Sequence, residues 1–422
     1  MMSAGVLAVA GGALLSLAFR QNLYVLLAIV ALLSYGLLAG QDITYVAQDL
    51  FFSLDQEVLL SIPFFVLAGT IMSHGTIAAR LVRIMSAFTA PVPGGLALAA
   101  ILSAAAFAAT SGSSMVTLLA VGGVVYPFLI QAGYPEKFAL GTVTASGTLG
   151  IIVPPSIPLI LYGISTKTSI IDLFLAGLAA SLLLTLMMIS YAMFRNRHRP
   201  VGRWDGGEII AAMKSGVLAM GMPVIILGGL YGGVFTATES AVVATVYAIL
   251  VEVVIHRDLK LKDVAAAMIE TAGLLGTLVP ILAFALSLNM LMAHERVPQL
   301  AVEAVLQAVD SRFVFLLAVT VLLLIVGCFV EITPAVLLLA PILTPLAQSY
   351  GIDPVHFGII MIVNLEIGYL TPPFGLNLFV ASTAFKKPFA LVMQASLPYI
   401  TILFVGLLLL TFIPAAPLIF VR

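Results

Sequence analysis

Residues 147–163 read GTLGIIVPPSIPLILYG, an apolar run long enough to cross a bilayer that carries two adjacent prolines, Pro154 and Pro155, at its centre. Proline donates no backbone N–H, and it disfavours helical geometry in the residue before it. A helix through this run therefore breaks halfway, and carbonyls near Gly150 and Val153 lose their intrahelical donors. Hydrocarbon offers such oxygens no partner, so unwound backbone at membrane depth is tolerated only inside protein or beside a watery cavity. A bound cation would satisfy them.

The run has a counterpart. Placing Pro154 and Pro155 over Pro372 and Pro373, an offset of 372 − 154 = 218, also sets Gly150 over Gly368, Pro127 over Pro345 and Gly133 over Gly351 without a gap. Chance matching is the competing explanation in a chain with 35 glycines and 22 prolines. The gapless register favours an internal repeat. Paired Gly/Pro-interrupted apolar segments in two halves point to the binding site of a secondary transporter.

Composition sets the class. Of 422 residues, 62% are hydrophobic and 9% charged, and the mean hydropathy is +1.20. That is too little polar surface to cover a soluble globule, so the chain reads as a polytopic helical membrane protein. A transmembrane barrel would show short alternating segments instead of long apolar blocks. A net charge of −1 suggests no nucleic-acid partner. Cys328 is the single cysteine, which excludes an intrachain disulfide and a cysteine metal cluster and leaves it a small buried apolar residue. The N-terminal MMSAGVLAVAGGALLSLAFR lacks a basic start and runs into another apolar block, so it reads as a retained membrane segment rather than a cleaved signal peptide.

Apolar blocks fall near 4–19 and 23–40, then an acidic connection at 42–57, then a block over 58–78 leading to Arg80 and Arg83. Residues 94–131 exceed one helix and carry TSGSSMVT in the middle, which fits two short arms meeting at a polar tip, a re-entrant hairpin. The broken segment spans about 137–165. Further blocks lie at 170–194, 217–235, 238–256 and 264–292, and a mixed-charge connection reaches Arg312. Residues 313–350 again read as two arms, with GCFVEITP at the bend; the second broken segment covers 356–384, and 390–420 closes the chain. The resulting layout is scaffold helices over 1–93, a first transport unit over 94–165, central scaffold and arm helices over 166–312, a second transport unit over 313–385 and a C-terminal helix over 386–422.

The positive-inside rule orients this layout. With the loop RNRHRPVGR (195–203) in the cytoplasm and each hairpin returning to its own side, Arg20, Arg80, Arg83, Lys137, Lys214, Arg257, Lys260, Lys262, Lys386 and Lys387 join it, 14 of the 18 Lys and Arg in all. The acidic connection falls outside. The first broken segment then runs outward and the second inward, an inverted repeat meeting near the midplane.

Hard cations of this kind take oxygen ligands. At the first hairpin tip Ser111, Ser113 and Ser114 offer hydroxyls and Gly112 lets the backbone turn, so these hydroxyls with the freed carbonyls of Gly150, Val153 and Pro155 could assemble a sodium site. The plainer alternative is that the serines bond their own preceding turn or pack helices together. The second copy offers Gly327 and Thr333 at the bend, with Gly368, Thr371 and Phe374 around the other proline pair. Ser113, Thr333 and Asn377 are candidate substrate contacts. Four carboxylates, Glu239, Glu270, Glu331 and Glu366, fall in apolar blocks, where such groups are costly unless paired or solvated; Glu239 fits a helix start equally well. All five histidines fall in loops or at block ends, and there is no HExxH, no pair of intramembrane aspartates and no GxxxxGK[ST], so neither catalysis nor ATP is expected.

These stretches resemble one family, the large membrane subunit (M subunit, DctM-like) of tripartite ATP-independent periplasmic (TRAP) transporters. The likeness rests on SGSSMVT (111–117), GTLGIIVPPSIPLILYG (147–163), VFTATESAVVATVYAI (234–249), DPVHFG (353–358) and GYLTPPFGLNLFV (368–380), which cover the chain in order. Departures are Val116, where the family usually has Ala, and Ala237, where it often has Pro. The resemblance implies an ion-transporter-superfamily-like elevator, in which a transport unit of hairpins and broken helices slides through a scaffold. It implies two or more sodium ions, one site on Ser111, Ser114, Gly150, Val153 and Pro155 and another on Gly327, Gly368, Thr371 and Phe374. It further implies a small four-helix membrane subunit (Q), a periplasmic substrate-binding protein (P), an organic acid such as a C4-dicarboxylate or sialic acid as cargo, and a bacterial or archaeal cytoplasmic membrane.

Three functions follow for comparison: a sodium-coupled, binding-protein-dependent carboxylate importer; a carrier or antiporter of the same architecture without a binding protein; and an intramembrane hydrolase built on Ser111–Ser114. No intramembrane Arg or Lys marks a carboxylate site, which leaves hydroxyls, backbone N–H groups and helix N-termini to hold the acid.

Overall fold

A computed structural model describes residues 4–19 and 21–421, so Arg20, one of the expected cytoplasmic cations, lies outside the described residues. The described chain is helical throughout, with no strand. In order it forms α1 (Ala4–Ala18), α2 (Leu23–Leu33), α3 (Ile43–Leu54), α4 (Ser61–His74), α5 (Ile77–Thr89), α6 (Gly95–Ser111) and α7 (Ser114–Gln131). Then come α8 (Glu136–Gly147), α9 (Leu149–Ile152), α10 (Ile157–Thr166), α11 (Ile170–Arg195), α12 (Gly206–Tyr231), α13 (Ala237–Ile249) and α14 (Leu261–His294). The last are α15 (Val297–Ala308), α16 (Arg312–Phe329), α17 (Ile332–Ser349), α18 (Pro354–Gly368), α19 (Leu376–Ala384), α20 (Phe389–Phe412) and α21 (Ala415–Leu418). Among the described residues ten helical segments are long and apolar enough to cross a membrane. The 15 residues of α1 reach about 22 Å at about 1.5 Å per residue, less than a hydrocarbon core of roughly 30 Å.

Both apolar runs break where the prolines stand. Pro154 and Pro155 are the residues four beyond Gly150 and Ile151, so those two carbonyls have no intrahelical donor. The helix stops at Ile152, Val153 is extended, and α10 starts at Ile157. In the second copy α18 stops at Gly368 and α19 starts at Leu376. Each proline pair is joined by a cis peptide bond.

The offset of 218 holds for whole elements. The arm starting at Ser114 matches the one starting at Ile332 (332 − 114 = 218), and α8 matches α18 (354 − 136 = 218). It also reaches past the window read from sequence, since α11 and α20 start 389 − 170 = 219 residues apart. The copies interlock by exchange: α10 packs on α17 of the other copy, and α19 packs on α7. The connection between the hairpin arms is short in both. Gly112 ends α6 in the left-handed region at φ +58, where Pro155 O lies 3.3 Å from the position a Cβ would take, and the Ser113 hydroxyl accepts the Val116 N–H to start α7.

Both ends of the α6–α7 pair meet one loop. Gly202 N–H donates to Ala90 O (2.9 Å) and Trp204 Nε1 to Phe88 O (3.0 Å) at the near end, while Arg199 donates to Ala132 O (2.7 Å) and Gly133 O (3.1 Å) at the far end. In the second pair the Tyr350 hydroxyl, just past α17, donates to Val309 O, just before α16, at 2.5 Å, and its ring stacks on Phe315.

Three stretches read as connections are amphipathic helices: α3 in the acidic connection, with Asp42 at its N-cap, α5 carrying Arg80 and Arg83, and α15 in the mixed-charge segment before Arg312. α5 buries Ile77, Ala78, Leu81, Val82 and Ile84, while Arg83 pairs with Glu208 of α12. The 3.6-residue periodicity is masked by the polar residues on the outer face. Around α14, which is 34 residues long, α2, α3 and α4 assemble, and α4 also packs on α13 and α5 on α12. α11, which the sequence layout places in the central scaffold, packs instead on α6, α18 and α20, beside the broken helices.

Candidate functional site

The first break and the first hairpin tip close around a knot of oxygens. Ser111 Oγ lies 2.7 Å from Thr117 Oγ1 and donates to Ser113 O at 3.4 Å, neither bond reaching back to its own preceding turn. Gly150 is pressed against the same group: a Cβ there would come within 2.3 Å of Ser113 O and 2.7 Å of Thr117 Oγ1. Pro155 O faces Gly112. The fold thus bonds Ser111 to the carbonyl of Ser113 and the hydroxyl of Thr117, packs Gly150 against those two groups and sets Pro155 O beside the neighbouring Gly112, all buried except the half-buried Ser113. Val153 is buried one residue before the prolines, its N–H bonded to Leu149 O at 2.9 Å. This set of neutral oxygens suits a small hard cation and carries no ionised group of its own.

The second break is built differently. Gly327 and Gly368 touch backbone to backbone, a Cβ on Gly368 coming within 2.6 Å of Gly327 Cα. Gly368 O is engaged by Thr371 N–H at 2.8 Å and Ile367 O by the Thr371 hydroxyl at 2.8 Å, so fewer carbonyls are free than at the first break. Phe374 is 53% exposed and stands edge-on to Phe329 with ring centres 5.4 Å apart. These rings, Gly327, Glu331 and Tyr369 line a cavity of about 230 Å³.

A buried polar chain links the two copies. Ser114 Oγ donates to Asn377 Oδ1 (3.3 Å), and Asn377 Nδ2 donates to Glu366 Oε1 (2.9 Å). Glu366 is fully buried and its Oε2 has no partner among the described residues. Ser114 therefore reaches across to the second copy, whereas Ser111 stays in the first. Of the candidate substrate contacts, Asn377 is in this chain and Ser113 is bonded at the first hairpin tip; Thr333 is buried in the first turn of α17.

Thr117 was missed, although it lies inside the quoted SGSSMVT; its signal is a hydroxyl one turn past Ser114, on the face of α7 that the break packs against. Glu239 and Glu270 are not buried in the membrane core. Glu239 sits in a capping box with Thr236 at the start of α13, its carboxylate accepting the Thr236 N–H, and Glu270 is exposed and bonded to His74 at 3.0 Å. Of the histidines read as loop or block-end residues, His356 is fully buried, in the first turn of α18, its Nε2 2.7 Å from Leu410 O. It contacts no serine of the hairpin tip.

The sequence profile described as "Tripartite ATP-independent periplasmic transporter, DctM component" matches residues 10–416. Among curated relatives, the C4-dicarboxylate TRAP transporter large permease protein DctM of Pseudomonas aeruginosa is 41% identical, the match covering 90% of each chain. The isethionate TRAP transporter permease protein DctMQ of Oleidesulfovibrio alaskensis is 36% identical over 93% of this chain, which spans 63% of that longer protein. Among solved structures, the Alcanivorax borkumensis YdaH transporter superposes with a TM-score of 0.62 at 17% identity over 87% of each chain, a likeness of fold alone. The profile and the relatives agree with the paired broken helices and the motifs around them: the chain belongs to the DctM family, the large permease component of tripartite ATP-independent periplasmic transporters.

Proposed function

We propose that this chain is the membrane-spanning permease of a sodium-coupled, binding-protein-dependent importer of organic acids. The observation that carries it is the knot formed by Ser111, Ser113 O, Thr117, Gly150 and Pro155 at the first break, a set of uncharged oxygens inside an apolar protein. Two or more sodium ions are the coupling ions, one held at this knot and another at Gly327, Gly368, Thr371 and Phe374. Sodium influx at about 100 mV supplies about 2.3 kcal/mol per net charge before its concentration gradient is counted. That is enough to concentrate a monovalent acid when two ions travel with it.

The motion is an elevator. The two hairpins, which enter and leave the membrane on opposite faces, move with the broken helices as one interlocked unit against α2–α4 and α12–α14. Cargo is an organic acid of the kind named for the relatives, a C4-dicarboxylate among them. It is delivered by a periplasmic binding protein at the cytoplasmic membrane, and a small four-helix subunit completes the permease. The relative whose name joins M and Q supports that partnership. The hydrolase reading loses its base, because Ser111 and Ser114 bond Thr117, Ser113 O and Asn377 and not a histidine. Reconstitution tests the reading against a self-sufficient carrier. Proteoliposomes holding this chain and its small subunit should take up the acid only when the cognate binding protein is added outside; uptake without that protein would establish the self-sufficient carrier instead.

A further inference from the structure

The corner where α13 ends holds side chains that transport does not use. α13 runs on as a π-helical stretch, Leu250–Ile255, a local widening often found at functional sites. Within it Glu252 is fully buried, and its Oε1 accepts the N–H groups of Thr76 (3.0 Å) and Ile77 (3.1 Å), two of the orphan donors at the start of α5. Its other oxygen, Oε2, has no partner among the described residues. His256 follows four residues later, and its Nδ1 is likewise buried without a partner. The chain then folds back, Asp258 N–H donating to Glu252 O at 2.9 Å. Asp258 Oδ2 accepts from Arg80 Nη2 at 2.9 Å and from the Thr76 hydroxyl.

Ligand atoms of Glu252, His256 and Asp258 all lie within 4.8 Å of one another. Two buried, unpartnered polar atoms on residues so clustered are rare in folded proteins unless something binds there. We propose that Glu252, His256 and Asp258 bind a divalent transition-metal ion of the zinc class, which clamps the start of α5 to the end of α13. One imidazole nitrogen with two carboxylate oxygens is a donor set for zinc-like ions, whereas sodium and magnesium prefer oxygen alone. Each carboxylate keeps one oxygen in hydrogen bonds that fix its orientation, as the outer shell of a metal site does. Arg80 offsets one of the two negative charges and leaves the site anionic before the ion arrives.

His256 and Asp258 are each held in the form that can ligate. Burial pushes the His256 imidazole down, which keeps it neutral and able to ligate. Partial burial would raise the Asp258 carboxyl, yet the bonds from Thr76 and Arg80 hold it below its ordinary value, so it is ionised at neutral pH. Three protein ligands leave a position open to water on the exposed Asp258 side.

The test uses the full chain purified in detergent without a histidine tag and titrated with Co²⁺, whose visible absorption reports ligation. The expected result is saturation at one equivalent, displacement by Zn²⁺, and a Zn²⁺-dependent rise in melting temperature. His256→Ala and Asp258→Asn should each weaken Co²⁺ binding by about tenfold or more. Asp258 is exposed, so its variant keeps the test sound if a change at His256 disturbs folding. Absence of saturable Co²⁺ binding by the unaltered chain, or equal binding by a folded Asp258→Asn or His256→Ala protein, overturns the proposal.

Discussion

At the scale of single residues, Gly150 and Ser111 carry the account. A Cβ on Gly150 would fall 2.3 Å from Ser113 O and 2.7 Å from Thr117 Oγ1, so a methyl group cannot enter without moving the hairpin tip. Gly150→Ala is expected to abolish sodium-dependent uptake while the protein still reaches the membrane. Gly123, on α7 with open space around its Cα, is the control: Gly123→Ala should leave uptake intact and raise stability by about 0.4–1 kcal/mol, read as a higher melting temperature. Ser111→Ala removes one proposed ligand and should raise the half-saturating sodium concentration roughly tenfold, about 1.4 kcal/mol, without changing the amount of folded protein. An unchanged sodium dependence would return Ser111 to a packing role. The twin prolines and the serine cluster were legible in the sequence because each breaks a rule that apolar helices obey. Thr117 and the Ser114–Asn377–Glu366 chain were not, since the partners are 263 residues apart for Ser114 and Asn377 and their meeting depends on how the copies interlock. For Glu239 the sequence left two roles open, because a capping carboxylate and a buried one look alike in an apolar stretch until the helix start is known; the capping box at the start of α13 selects the helix-start role.

At the scale of elements, the breaks, the hairpin bends and the repeat follow from proline, glycine and serine punctuation in long apolar runs. α3, α5 and α15 do not, because their outer faces carry the polar residues that also mark loops. The repeat proved longer than its sequence signal, since the flanking α11 and α20 lack matched prolines and glycines to show the register. The loop that bonds both ends of the α6–α7 pair makes a topological prediction. In a Cys328→Ala background, cysteines placed singly at Ala90 and Gln131 should react with a membrane-impermeant maleimide from the cytoplasmic side only. Cysteines at Asp310 and Ser349, the ends of the second pair, should react from the opposite side only. Labelling of Ala90 and Gln131 from opposite sides would make α6 and α7 one full crossing and end the inverted arrangement.

At the scale of the whole molecule, membership of the DctM family sets the class of machine, and the two breaks are where we propose that its driving ions bind. The copies hold each other by exchanged contacts, α10 on α17 and α19 on α7, and on the proposed mechanism the two ion sites would travel together. Uptake should therefore need sodium at both breaks and not tolerate a cation too large for the knot around Gly150. The most direct measurement is uptake of the cognate acid by proteoliposomes containing the assembled permease and its binding protein, with an inward sodium gradient or an equal gradient of choline. Accumulation with sodium and none with choline is the predicted result. Equal accumulation under both salts would contradict the claim that the opened backbone at Pro154–Pro155 and Pro372–Pro373 holds the ions that drive transport.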